Sequence, residues 1–211
     1  MVSPRSTRTV GWTVTIWLAL AVFAGTQNLL EPLLPPPLPL ALIAALTVAI
    51  LTVAVTSAWF REWLMTVDVR ALVLVHVTRF AAGLSFLVLY GRGALPYAFA
   101  VPGGVGDIIV AVMAIGVVLT TDGRSTRGRW LLGAWNLLGL ADILMVVATA
   151  GRIGVADPGS MAALLRLPLS LLPTWLVPII IATHLIIFVR ILRRRPPARV
   201  IRSGRRDRPL R

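Results

Sequence analysis

The sequence predicts an all-α membrane protein, a bundle of six transmembrane helices in one domain. Of its 211 residues, 57% are hydrophobic and only 14% are charged, whereas soluble domains are about half apolar and about a quarter charged. The apolar residues also form continuous runs of roughly twenty, the length of helix that spans a hydrocarbon core. Continuous runs do not fit the alternating strands of a membrane β-barrel.

Each run has its own limits, set by polar, proline-rich or aromatic residues. The predicted spans cover residues 10–27, 40–60, 69–90, 107–121, 130–150 and 171–192. The first run follows a basic segment with Arg5 and Arg8, a pattern that also fits a cleavable signal peptide. We favour a retained helix, because the run is full-length and Val22-Phe23-Ala24 is a mediocre cleavage pattern.

The arginines predict the orientation of the bundle. All 21 basic residues are Arg, and 17 of them fall on the side of the N-terminus, against three on the other side and Arg79 within a span. Cytoplasmic loops carry the excess of basic residues, so we expect both termini in the cytoplasm and a bacterial plasma-membrane location. Ten arginines lie between Arg190 and the C-terminus. This rule explains the high pI without nucleic-acid binding.

Residues 193–211 form a basic tail without apolar periodicity, which predicts a disordered or membrane-surface segment. An arginine near the membrane surface contributes roughly 1 kcal/mol of attraction to anionic lipids. We therefore expect the lipid bilayer, and anionic lipids at the tail, as partners. The sequence indicates neither a protein partner nor a particular small ligand.

Polar residues inside the spans predict a buried centre. With a rise of about 1.5 Å per residue, His76, Asn136 and His184 fall roughly 9 to 12 Å from the cytoplasmic helix ends. Arg79 and Asp142 fall roughly 15 to 18 Å from them. The matched depths on three helices favour a common interior. Charged residues within the bilayer are costly and are usually paired or functional.

Arg79 and Asp142 permit two interpretations. They can form a buried ion pair that only fixes helix register, since a partner at the same depth removes most of the cost of a buried Arg. Alternatively, they line a site for an anion, a proton relay or a lipid head group.

The two histidines permit several interpretations. His76 and His184 lie on different helices at similar depth, the minimum requirement for ligating one b-type haem. We favour structural or proton-linked histidines, because no second His pair accompanies them. A divalent metal held by both histidines with Asp142 or Asp107 is weaker still, since no HExxH-like spacing supports it. We therefore predict no cofactor and no metal.

Asp107 follows the glycine-rich segment 103–106 and is predicted to begin the fourth span. A carboxylate there can cap the helix by accepting bonds from free N–H groups, while the glycines let the chain turn back into the bilayer. An alternative is a cap that also faces an outer cavity. On either interpretation, Asp107 lies nearer the outer face and outside the cluster of the other polar residues.

Catalytic motifs are missing from the sequence. The absence of cysteine excludes disulfides, thiolate metal sites and thiol catalysis. No Ser-His-Asp order, paired-carboxylate spacing or phosphate-binding glycine motif is present either. An enzyme is therefore not the favoured interpretation.

One segment resembles a known group of proteins. The pattern RF-x2-G-x2-F-x2-LY-x2-G-x-LP-x2-FA-x-P-x-G-x-GD, from Arg79 to Asp107, resembles a motif of small uncharacterised bacterial membrane proteins. Trp135-Asn136-x2-Gly139-x2-Asp142 is similar to its companion on the fifth span. The resemblance implies a six-helix integral membrane protein and brings no activity, cofactor or catalytic residue.

The sequence leaves three functions open. The first is a small transporter or sensor component built around His76, Arg79, Asn136, Asp142 and His184. The second is an electron-transfer subunit with a haem between the two histidines. The third is a membrane scaffold in which the ion pair is purely structural.

Overall fold

A computed structural model describes residues 4–33, 37–120 and 125–193. These residues form helices and turns, with no β-strand among them. Six helical stretches are long and apolar enough to cross a membrane. The helices are α1 (Pro4–Thr26), α2 (Leu38–Thr56), α3 (Ala58–Thr66), α4 (Val69–Leu74), α5 (Thr78–Gly91), α6 (Tyr97–Thr120), α7 (Thr126–Ala156) and α8 (Val177–Arg193). Three shorter turns matter for the site: the 3-10 turns Val75–Val77 and Gly159–Leu165, and the π-helical turn Leu172–Leu176.

The second span ends earlier than predicted. Helix α2 stops at Thr56, because Ser57 adopts an extended conformation (φ −84°, ψ 111°) that separates it from α3. The Arg61 guanidinium folds back and donates from Nη1 to the carbonyl oxygen of Val55 at 2.6 Å. Trp59, near the end of the predicted span, therefore belongs to the short separate helix α3.

The fourth span begins ten residues earlier than predicted, and the prediction that Asp107 caps it is wrong. Helix α6 runs unbroken from Tyr97 through Pro102 and the glycines, so Asp107 lies in its interior and is buried. Within a bilayer no water can bond to an open backbone, so the chain stays helical through residues that would end a helix in water.

Proline shapes the start of the sixth span. Pro178 has no N–H with which to bond the carbonyl group of Thr174 four residues earlier. That carbonyl oxygen instead accepts a hydrogen bond from Nε1 of Trp17 at 2.9 Å. The backbone group released by the proline therefore attaches α1 to the rest of the bundle.

Two apolar cores enclose a polar middle. The α3 end of the bundle is filled by a cluster that includes Leu72, Val117 and Ile187. The opposite end, beside the 3-10 turn Gly159–Leu165, is filled by a cluster that includes Phe99 and Met161. The sixth span is the most buried of the six, and the first two are the least buried. The buried polar residues His76, Arg79, Asp107, Asn136 and His184 lie between the two cores.

Most of the predicted basic tail, residues 194–211, lies outside the described residues. Arg190, the first arginine of the C-terminal group, is a buried part of α8. Its Nη1 donates to the carbonyl oxygens of Leu64 and Val67, at 3.1 and 2.7 Å. A cation at a helix C-terminus complements the helix dipole, so Arg190 fixes the end of α3 against α8.

Candidate functional site

A close crossing of α5 and α6 builds the centre of the molecule. A Cβ built on Gly104 would stand 2.8 Å from the carbonyl oxygen of Gly83, so only glycine permits this approach. Gly83 lies one turn after Arg79, and Gly104 lies one turn before Asp107. Because the two helices run in opposite directions, the crossing brings Arg79 and Asp107 to the same level.

The guanidinium of Arg79 connects three helices. Its Nε donates to Oδ1 of Asp107 on α6 at 2.6 Å, and its Nη1 donates to the carbonyl oxygen of Gly139 on α7 at 3.0 Å. Its Nη2 donates to Oδ2 of Asp142, also on α7. The side chains of Arg79, Asp107 and Asp142 are only 1%, 3% and 10% exposed. We call these three residues the charged layer.

Glycines on α6 and α7 make room for this layer and for the neighbouring residues. A Cβ at Gly106 would collide with the Asp142 carboxylate, whose Cγ would be 3.0 Å away. A Cβ at Gly139 would stand 2.6 Å from Cε1 of His184. The glycine pattern in the sequence therefore serves close packing around polar side chains.

A second polar layer lies one helical turn toward the α3 end. The rings of His76 and His184 are 4.1 Å apart between centroids, and Trp135 packs edge-on against His76 at 5.0 Å. Asn136 and Thr183 complete the group through hydrogen bonds to the two imidazoles. All five are buried. We call them the histidine layer.

The hydrogen bonds of Asn136 determine the tautomer of His184. The amide Nδ2 donates to the carbonyl oxygen of His184 at 3.1 Å, so Oδ1 is the atom that faces Nδ1 of the imidazole at 2.9 Å. An amide oxygen only accepts, so Nδ1 of His184 carries the hydrogen. Nε2 of His184 is left as a buried acceptor without a hydrogen-bond partner. Nδ1 of His76 is in the same position when Nε2 of His76 donates to Thr183.

The histidine layer does not fit a haem held by both histidines. An iron ligated from both sides places the porphyrin plane between its two axial ligands. With their centroids 4.1 Å apart, the His76 and His184 rings are in direct contact and leave no gap for that plane. Among the described residues, no group of three or more His, Cys, Asp or Glu side chains has the arrangement of a metal site.

The structure brings together both groups that the helix depths predicted. His76, Asn136 and His184 form one set of contacts, and the predicted pair of Arg79 with Asp142 is confirmed. Asp107 was wrongly placed outside the cluster, because it bonds to Arg79 directly. Ligand binding by these residues stays a prediction, as does the alternative that they only fix the helices.

Sequence reasoning missed the cavity beside the charged layer. A partly open cavity of about 100 Å³ lies between α2, α5, α6, α7 and the start of the sixth span, on the side of the 3-10 turn Gly159–Leu165. Of the described residues that line it, Arg79 and Asp107 are polar, and the others are apolar or glycine. Asp142 and the histidine layer do not line it. No local pattern in the sequence identifies such a space.

Comparison with known proteins gives a family without an assigned function. No curated protein and no solved structure matches the chain. Residues 36–192, which include both polar layers, match the family described as domain of unknown function DUF8737. Since this match covers most of the 211 residues, the chain belongs to the DUF8737 family.

Proposed function

We propose that the protein is a multi-pass membrane protein that binds a small, largely apolar molecule inside its bundle, as a component of a small transporter or of a membrane sensor. The observation that carries the proposal is the cavity, an apolar space with a single polar point formed by Arg79 and Asp107. Ligand sites are typically concave, mostly apolar and equipped with a few placed polar groups.

The energetics support an occupied cavity. Atoms that line an empty space lose their packing contacts, so a cavity that stays empty is unfavourable for stability. Packing is otherwise close around the charged layer, where neighbouring atoms lie directly against Gly83, Gly104 and Gly106. A space kept open beside such tight packing favours a binding site over a packing defect.

A pair of matched substitutions tests the proposal. Ala82 lines the cavity, whereas its neighbour Ala81 is exposed on the outer surface of α5. Hexan-1-ol should raise the melting temperature of the wild type and of Ala81→Phe in the same detergent, because a ligand that binds only the folded state stabilises it. Ala82→Phe fills the cavity and should abolish this rise. An equal rise in both variants would refute a ligand site in the cavity.

A second matched pair on α7 protects the test against a variant that fails to fold. Ala150 lines the cavity and Ala148 is exposed. Ala150→Leu should weaken the effect of hexan-1-ol, while Ala148→Leu should leave it unchanged.

We also propose that both termini face the cytoplasm of a bacterial cell, as the distribution of the arginines favours. The chain contains no cysteine, so single cysteines introduced into a loop or at a helix end can be labelled selectively. In intact cells, a membrane-impermeant maleimide should label Ala94→Cys and not Thr126→Cys. The opposite result would invert the proposed orientation.

A further inference from the structure

The charged layer has one more negative charge than positive charge when all its groups are ionised. Arg79 carries one positive charge, while Asp107 and Asp142 each carry one negative charge, and both carboxylates bond to the same guanidinium. An uncompensated charge away from water is expensive, so a buried group binds an opposite charge or becomes neutral. The layer therefore requires one added positive charge, either a proton or a bound cation.

Protonation of the histidines is an unfavourable source of that charge. Protonation would place N–H groups on both nitrogens of His76 or His184. Nδ1 of His76 and Nε2 of His184 are buried and have no hydrogen-bond partner to accept from them. The Arg79 guanidinium is also on their side of the layer, bonded to Gly139 next to His184. A cationic imidazole would thus add an unsatisfied donor and a like-charge repulsion.

The remaining helices around the cavity bring no further charge. Helix α2 and the 3-10 turn Gly159–Leu165 contain no titratable residue, and the titratable groups of α5 to α8 that face this centre are those of the two layers. Within the described part of the chain, Asp107 is the one carboxylate that lines the cavity. Its Oδ1 accepts from Arg79, and no described residue donates to its other oxygen. Arg79 also lines the cavity, but its three guanidinium nitrogens already donate to Asp107, Gly139 and Asp142. The open oxygen of Asp107 is therefore the group that a positive charge in the cavity would meet.

We propose that the cavity binds a lipophilic monocation, such as a protonated alkylamine, with its ammonium group at Asp107 and its apolar chain in the cavity. Without a ligand, the charged layer holds one proton, on one of its two carboxyl groups. When the ammonium group binds, the carboxyl proton leaves for the solvent and the carboxylate pairs with the ligand. The inference rests on the proposed function and names its ligand class.

The proposal also differs from one alternative that the sequence left open, an anion site at Arg79, because both carboxylates already bond to its guanidinium.

Three probes of equal chain length test this assignment. Hexylammonium, hexan-1-ol and hexanoate should each be titrated at pH 7 into the wild type, Ala81→Phe and Ala82→Phe. We expect hexylammonium to bind on the order of tenfold more tightly than hexan-1-ol, as one hydrogen bond to a charged group allows. Hexanoate should bind most weakly, and Ala82→Phe should lose all three.

Proton release is the second measurement. Calorimetric titrations of hexylammonium in two buffers with different ionisation enthalpies should show a net release of protons as the cation binds, with at most one proton released per cation. Hexan-1-ol should release none. In Asp107→Asn the remaining charges balance, so the preference for hexylammonium over hexan-1-ol and the proton release should both disappear. If Asp107→Asn does not fold, the wild-type series and its proton count still decide the question.

The possible failures are distinguishable. If hexanoate or hexan-1-ol binds as tightly as hexylammonium, or if no proton is released, the monocation assignment is wrong while the cavity remains a binding site. If no hexyl probe distinguishes Ala82→Phe from Ala81→Phe, the proposed function has failed as well.

Discussion

The charged layer and the histidine layer lie one helical turn apart, yet their surroundings differ. His76 and Arg79 are three residues apart on one span, and both are buried. The histidine layer is packed against Trp135 and the apolar core at the α3 end. The charged layer borders the cavity. Burial alone therefore does not distinguish the two layers, whereas the position of the open space does.

The two layers also differ in what their polar groups require. In the histidine layer, the hydrogen bonds join neutral groups, and replacing both members of a neutral pair by apolar groups can be nearly neutral for stability. In the charged layer, removal of Arg79 leaves two buried carboxylates without their cation, which is strongly destabilising. Substitutions in the two layers should therefore differ in how much stability they remove. They should also differ in whether a second substitution in the same layer restores it.

Arg79→Leu should have the largest effect. It leaves the carboxylates of Asp107 and Asp142 buried without a cation, so we expect a loss of about 3–5 kcal/mol in the free energy of unfolding. The measurement is equilibrium unfolding in mixed micelles. Asp142→Asn should cost less, because Arg79 keeps its bond to Asp107.

The triple variant Arg79→Leu/Asp107→Asn/Asp142→Asn provides the control. It removes every charge, so its loss should be smaller than the sum of the single losses, since residues in one network are not additive. Strictly additive losses would contradict the network that we describe.

Gly139→Ala should have the next largest effect. The added methyl group would stand 2.6 Å from Cε1 of His184, an imidazole already fixed by Asn136. Overpacking of this kind costs about 1–3 kcal/mol, and we expect the upper part of that range. Gly133 lies on the same helix with nothing within 4 Å of its added Cβ. Thermal unfolding should therefore show Gly133→Ala unchanged or slightly stabilised, and equal losses would argue against the tight packing at Gly139.

Asn136→Leu should have a moderate effect. It leaves Nδ1 and the carbonyl oxygen of His184 without the amide, and an unsatisfied buried polar group costs about 1–3 kcal/mol. We expect about 1–2 kcal/mol here by the same unfolding measurement, because both lost partners are neutral. The double variant Asn136→Leu/His184→Phe should recover part of the loss and still bind hexylammonium. A double variant that folds but has lost hexylammonium binding would show that the histidine layer takes part in ligand binding.

Helix length and depth predicted much of this arrangement from the sequence. The six spans follow from apolar runs, and the contacts of His76 with His184 and of Arg79 with Asp142 follow from matched depth. The length of the predicted fourth span already indicated that Asp107 was misplaced. A span of residues 107–121 has only fifteen positions, whereas crossing the hydrocarbon core takes about twenty. Extending that helix backwards would have placed Asp107 at the depth of Arg79.

Other features depend on the three-dimensional packing and have no local signal. The role of Gly83 and Gly104 as a crossing point requires knowing that α5 and α6 pack together. The Gly139 carbonyl is a backbone group that any residue would provide, so its bond to Arg79 was not predictable. The cavity arises from side chains of several helices that lie far apart in the sequence, and only their assembly creates it.

Glu31→Gln should have the smallest effect. Glu31 and Arg166 form an ion pair of 3.1 Å, but their side chains are 44% and 66% exposed. Solvent screens such a pair, and exposed ion pairs contribute about 0–1 kcal/mol. Melting temperatures of the wild type and of Glu31→Gln should therefore differ little, and less at high salt than at low salt. A loss of stability as large as that of Asp142→Asn would contradict this expectation. It would mean that an exposed ion pair contributes as much to this bundle as a buried, hydrogen-bonded one.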